Sequence, residues 1–214
     1  MGCDVKRRWR HPHLSSFYRL RMASRPTPEG LKNYLNSHEL PARLECWQED
    51  QARLILRYGA FVGSVIEHHH TMDRTMPHAR AHIEAHEEET TSVVNGTLFL
   101  ADSLSGSKGR FSRVWHAPPG GLWGSLIYIS TLVPKYRMLA PLAVGVACCE
   151  AMRENGADDA SIRWINDVLI GGRKVGGFLA ENFSGPVSRE DYCLLGFGIN
   201  LNNEEFPAYL DQIA

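Results

Sequence analysis

The spacing of apolar positions changes along the chain, and each change marks a different kind of element. Residues 29–58 carry Leu31, Tyr34 and Leu35 on one helical face, which predicts a helical segment in two pieces with a break near Pro41. Residues 60–66 (AFVGSVI) form a short apolar run that reads as a strand leading into His68, His69 and His70. A helix follows to about Glu88, with Thr75 as its N-cap and Pro77 tolerated in the first turn. Two strands come next, over 97–101 (TLFLA) and 124–133 (GSLIYISTLV). Residues 136–154 return to helical spacing through Leu139, Leu142, Ala143, Val146 and Cys149, and Asn155-Gly156 supplies the stop. Strands then succeed one another over 161–165, 168–170, 173–180 and 192–201, with Gly171-Gly172 as a hairpin turn. Helices first and hairpins after predict an α+β class with a mixed, largely antiparallel sheet packed by helices. The pattern contains no βαβ alternation, which argues against a Rossmann sheet.

Charge narrows the function. Lys and Arg number 23 against 24 Asp and Glu, a net charge of -1, so an anion site must come from local clustering. The 43% hydrophobic content supports a packed core and excludes wholesale disorder. Five cysteines without a CxxC pair point to a reduced, cytoplasmic protein. The apolar runs all fall short of the roughly 18–20 residues of a membrane span. Residues 1–26 hold Lys6, Arg7, Arg8, Arg10, Arg19, Arg21 and Arg25 against the single acid Asp4. Such a segment suits a targeting peptide or a nucleic-acid arm, but a poorly ordered tail is the preferred reading.

Chemistry concentrates in three segments. SGSKGRFSRVW (105–115) joins small residues to Lys108, Arg110 and Arg113, a combination that lets backbone and cations approach phosphate together. It is not a Walker loop, and Trp115 at its end offers a face for a base. In RWINDVLIGGRKVGG (163–177), strand alternation places Arg163, Ile165 and Asp167 on one face, whereas Asn166-Asp167 also suits a turn. Lys174, in a glycine-bounded hairpin, is able to hold a carboxylate against a phosphate. GFGIN (196–200) ends a strand on Asn200, whose amide matches the donor–acceptor edge of adenine. His78, His82 and His86 fall on one helical face, but without HExxH or a nearby cysteine they read as a solvated polar face rather than a zinc site.

Taken in order, these segments resemble the biotin protein ligase family, whose catalytic domain is shared with lipoate ligases. The family's GRGRxGRxW, KWPNDL, GRKxAGIL and GIGIN stand here as SKGRFSRVW, RWINDVL, GRKVGGFL and GFGIN. The resemblance implies a biotin/lipoate protein ligase catalytic domain, similar to class II aminoacyl-tRNA synthetases, over 60–214 and short at its C-terminus. Ahead of it lie a helical segment, 29–59, and the basic tail, 1–28. The resemblance further implies ATP-dependent formation of biotinyl-5'-AMP and transfer of biotin to a lysine of a biotin carboxyl-carrier protein, with Mg2+ assisting. Catalytic roles would fall to Lys174, Arg110 and Asp167, with Asp167 the contact for Mg2+. Biotin would meet His70, Thr71, Met72, Leu104, Lys108 and Gly109 besides Arg110 and Lys174, with the family's Ser-Thr-Asn triad matched to His70-Thr71-Met72. ATP would meet Lys108, Arg110, Trp115, Asn166 and Asn200. A homodimer is compatible with this family; a membrane is not implied, and the lack of a helix-turn-helix argues against nucleic acid.

Departures from the family pattern gather at the acid-binding end. Leu104 replaces a Gln that touches biotin, His70 and Met72 replace small polar residues, and Lys108 replaces an Arg. Biotin is the first choice of acid, with lipoate or octanoate second. A non-catalytic paralog that keeps the fold is the reading from a different class.

Overall fold

The computed structural model describes residues 25–203, 206 and 207, except 110, 112, 132 and 133. The basic segment 1–24 and Arg110 therefore lie outside the described residues. Thr27 caps the first helix, α1 (Pro28–Tyr34), by accepting from the Gly30 N–H at 3.1 Å. The chain then runs through a π turn (Leu35–Glu39) straight into α2 (Leu40–Leu44). Pro41 thus fails to break the helix, because it sits in the first turn of α2 and the wider π turn absorbs the bond it removes. The break comes at 45–48, before α3 (Glu49–Gly59).

Residues 60–65 are a turn and not a strand, with Gly63 at φ 77° interrupting the apolar run. The first strand is β1 (Ile66–Met72), followed by α4 (Thr75–Glu88) and β2 (Leu98–Leu104). Arg74 occupies the N-cap position, and Thr75 is the first helical residue. Because β1 pairs parallel to β2 in the register His69↔Ala101, these elements form a βαβ unit absent from the sequence reading. The reason is composition: β1 is IEHHHTM, a strand written almost wholly in polar residues.

The remaining elements are β3 (Leu122–Ile129), α5 (Pro134–Arg137), α6 (Ala140–Glu154), β4 (Ser161–Arg163), β5 (Asp167–Ile170), β6 (Arg173–Ser184) and β7 (Asp191–Ile199). The seven strands lie in the order β1-β2-β3-β7-β6-β5-β4, and every pair after β1–β2 is antiparallel. This is the expected α+β arrangement with a mixed, largely antiparallel sheet. Among the described residues, no helix is long and apolar enough to cross a membrane.

Strand alternation divides the core between the two faces. On one face α4 buries a stripe of Thr75, Ala79, Ile83 and Glu87, each four residues from the last, against Phe99, Ile127, Tyr192 and Leu194. On the other face α6 packs Cys149 onto Val168 and Phe178, with Phe197 and Ile199 alongside. At Gly145 α6 faces Ile162 and Phe178, which an added methyl would meet at an ordinary contact distance of 3.8 Å. Along β7 the α4-facing positions run Leu194, Gly196, Gly198. Bulk therefore falls away beyond the first turn of α4, and a cavity opens there.

Candidate active site

The cavity has a volume of about 1300 Å³, and its floor and walls come from distant parts of the sequence. Gly177, Gly196 and Gly198 line it from β6 and β7. A side chain at Gly198 would stand 2.9 Å from Trp115 Nε1, so the glycine is what lets the indole lie flat near the sheet. Trp115 meets Trp123 edge to face at 6.4 Å, and Trp123 is itself fixed by donating from Nε1 to Pro118 O at 2.8 Å. Trp115 Nε1 is buried and has no hydrogen-bond partner among the described residues, leaving a donor in the wall.

Charge enters this wall through a hairpin. RWINDVL is not one continuous strand: β4 ends at Arg163, β5 begins at Asp167, and these two residues pair across the turn. Asp167 accepts from Arg163 Nη2 at 2.9 Å and from Lys174 Nζ at 2.7 Å. Burial opposes the Asp167 charge, but the hydrogen bonds and charges of Lys174 and Arg163 outweigh it and hold the carboxyl below its ordinary range. Lys174 Nζ also lies 4.9 Å from the Trp115 ring and keeps 28% of its side chain exposed. An anchored ammonium over an aromatic face, still open to solvent, is able to exchange its carboxylate partner for an incoming one.

Asn166 has a different task from its neighbour. Its Nδ2 donates to Phe178 O at 2.8 Å, and its own carbonyl accepts from the Phe178 N–H, which closes the turn onto β6. Asn200 borders the cavity with its backbone N–H on Val175 O at 2.7 Å and its Oδ1 accepting from Asn203. The loop ahead of Trp115 is drawn in by backbone bonds, Gly109 N–H to Arg113 O at 2.8 Å and Trp115 N–H to Ser107 O at 3.1 Å. Leu104, Lys108 and Gly109 line the cavity from this side.

His70, Thr71 and Met72 do not border the cavity. They end β1, where His70 Nδ1 lies 3.0 Å from Asp102 Oδ2 and Thr71 Oγ1 lies 3.1 Å from Ser103 Oγ. The residues that border it in their stead are Arg74, Thr75 and Met76, at the start of α4. Arg74 is the N-cap of α4, and Thr75 and Met76 are its first helical residues. The predicted helix start placed Thr75 at the N-cap but gave no sign that it faces a cavity. Arg80, one turn further, also borders the cavity and pairs with Glu181 at 3.1 Å. Trp123 was likewise missed, since an apolar strand residue carries no mark of which face it joins.

Asp167 does not fit the role of a Mg2+ contact in this arrangement. Each of its oxygens already carries a cation, Lys174 on Oδ1 and Arg163 on Oδ2.

Known proteins resemble this chain in sequence and in fold. The chain is 35% identical over 133 residues to the bifunctional ligase/repressor BirA of Bacillus subtilis, covering 61% of this chain and 41% of that protein. It is 33% identical over 131 residues to the biotin–[acetyl-CoA-carboxylase] ligase of Paracoccus denitrificans, covering 52% of each. The solved biotin protein ligase of Aquifex aeolicus in complex with biotin and ATP superimposes with a TM-score of 0.54 at 28% identity, over 69% of this chain and 57% of that one. The chain thus spans well under two thirds of the length of these relatives. The profile of the Biotin/lipoate A/B protein ligase family matches residues 74–200, from the N-cap of α4 to Asn200. The chain belongs to the Biotin/lipoate A/B protein ligase family.

Proposed function

We propose that this chain is an ATP-dependent biotin–protein ligase. The observation that carries the reading is Lys174, held between Asp167 and the Trp115 ring above Gly177 in the cavity. The relatives support it by what they are called: a biotin–carboxylase ligase, and a biotin protein ligase with biotin and ATP bound.

In the first step a biotin carboxylate oxygen attacks the α-phosphorus of ATP. A carbon–oxygen–phosphorus anhydride forms, the bond to the β-phosphate breaks, and pyrophosphate leaves. Negative charge builds on the α-phosphoryl oxygens, so the reaction needs fixed positive charge there rather than a nucleophilic side chain. Lys174 leaves Asp167 to bridge the acid's carboxylate and the phosphate. Lys108 and Arg110 enclose the adenylate, and Trp115 and Asn200 receive the adenine. In the second step an uncharged lysine amine of the acceptor attacks the anhydride carbonyl, an amide forms, and AMP leaves as the amine loses its proton. The acceptor is a biotin carboxyl-carrier protein or domain. Mg2+ would act with the phosphates of ATP, and no step is assigned to Asp167 as its ligand. No nucleic-acid role is proposed.

A second reading is favoured by one observation. Leu104 borders the cavity with an apolar side chain that offers no hydrogen bond to a ureido ring, and this suits lipoate or octanoate. Pyrophosphate release measured with biotin, lipoate or octanoate plus ATP separates the readings, and a thermal-shift panel of the same acids reports binding independently. Release dependent on biotin is expected. Release with lipoate or octanoate alone replaces biotin as substrate. No acyl-adenylate with any acid, and no effect of Lys174→Ala, would leave a non-catalytic paralog and overturn the enzyme.

A further inference from the structure

We propose that Glu67, His69 and His78 form a binding site for a divalent transition metal of the zinc type, apart from the nucleotide cavity. Glu67 and His69 stand two residues apart on β1 and so project from the same face of the sheet, the face that α4 covers. His78 descends onto them from the first turns of α4. Glu67 Oε1 lies 2.5 Å from His69 Nε2 and 2.8 Å from His78 Nε2. One ligand atom from each residue lies within 4.8 Å of the other two.

The geometry is that of a tripod closed upon itself. A tetrahedral ion about 2.1 Å from each ligand atom needs those atoms about 3.4 Å apart. Admitting one therefore opens the Glu67 contacts by less than about 1 Å, within the reach of side-chain rotation. Two imidazoles and a carboxylate select zinc, nickel or copper over magnesium or calcium, which prefer all-oxygen sets. The His69 and His78 rings meet edge to face at 5.4 Å, and His78 rests edge-on against the fully buried Phe99 at 5.1 Å, which limits its rotation. All three side chains retain 35 to 40% exposure, so the ion has a path from solvent and water completes its shell.

The helix pattern His78, His82, His86 alone suggested a solvated face, and the set proposed here takes only His78 from it. The other two ligands come from the polar strand β1, which sits at the sheet edge. A metal at this position cross-links that edge strand to α4 within one turn of Thr75 and Met76, which border the cavity. It thereby fixes the entry of α4 without touching Lys174 or Asp167.

Titration of the full chain, carrying no histidine tag, with Co2+ and then Zn2+ tests the site. One equivalent of Co2+ is expected to bind with the visible bands of a four-coordinate ion and to be displaced by Zn2+. Glu67→Gln, His69→Ala and His78→Ala are each expected to weaken binding at least about 100-fold, the upper end of what losing a supporting partner costs. His70→Ala is expected to bind as the wild type does. Zn2+ should also raise the thermal midpoint of the wild type but not of Glu67→Gln. Absence of stoichiometric binding to the wild type overturns the proposal, with no variant needed. So does unchanged affinity in the His69→Ala/His78→Ala double variant, or loss of binding in His70→Ala.

Discussion

At the end of the α4 face where the large cavity lies, Asp167 is held by two permanent cations, whereas at the far end of α4 Glu87 is held by neutral donors. Glu87 takes the last place in the buried stripe of α4, where an apolar residue would serve packing alone. Its Oε2 accepts from the backbone N–H groups of Val187 and Ser188 at 3.1 and 2.7 Å. Its Oε1 accepts from Ser188 Oγ at 2.6 Å and Tyr192 OH at 2.7 Å. These bonds, led by the Ser188 hydroxyl, hold the Glu87 carboxyl at about 2. The same contact, with burial as the larger cause, pushes the Tyr192 hydroxyl upward. Gly185 makes the cradle possible, since a side chain there would meet the carboxylate at 2.6 Å. These donors join α4 to the β6–β7 turn and to Tyr192 of β7, so Glu87 serves the fold. Asp167 instead keeps a cation exposed beside a cavity, and its pairing is one that a substrate carboxylate can replace.

The difference makes the two ends separable by experiment. Lys174→Ala should have the largest effect, lowering biotin-dependent pyrophosphate release by about 10²- to 10³-fold, as expected for loss of one preorganised charge donor. Its thermal midpoint should stay near that of the wild type; a large fall would mean that Lys174 serves the fold as Glu87 does. Gly198→Ala should come next, at about 1–3 kcal/mol, because the added methyl forces the Trp115 indole off the sheet. A raised KM for ATP with a small change in denaturation midpoint would place that cost in the cavity.

Glu87→Gln should reverse the pattern, lowering the thermal midpoint by several degrees while leaving KM for ATP unchanged. The sign with pH is fixed by the depressed folded-state value. Stability from Glu87 is complete above its ordinary 4.5 and is lost as pH falls towards about 2. Thermal midpoints measured across that window should fall steeply for the wild type and less steeply for Glu87→Gln. Parallel slopes would break the comparison. Trp115→Leu, which removes the aromatic face from Lys174 and from the proposed adenine site together, should weaken nucleotide binding by at least as much as Gly198→Ala, as read by calorimetry.

Much of the cavity wall was readable because its residues sit in short segments with local meaning. Lys174 stands in a glycine-bounded hairpin, and Trp115 closes a basic loop; both border the cavity. Asn166, read both as a nucleotide contact and as a turn residue, borders the cavity and makes the turn's bond to Phe178 O. Arg74, Thr75 and Met76 escaped notice, since whether they border the cavity depends on where the helix begins and which way it packs. Strand β1 was hidden for another reason. Its histidines face carboxylates, Asp102 on one side and Glu67 on the other, so no apolar alternation marks it.

By itself the sequence determined the α+β class, the succession of the later strands along the chain and the glycine-bounded hairpin that carries Lys174, because each depends on residues near in sequence. Tertiary structure alone decided that Gly177, Gly196, Gly198 and the start of α4 enclose one cavity. It alone brought Glu87 to Ser188, and Glu67 and His69 to His78, across intervals that periodicity does not span. Local hydrogen bonding and side-chain alternation act over a few residues, whereas a cavity exists only where separate elements pack and leave bulk out.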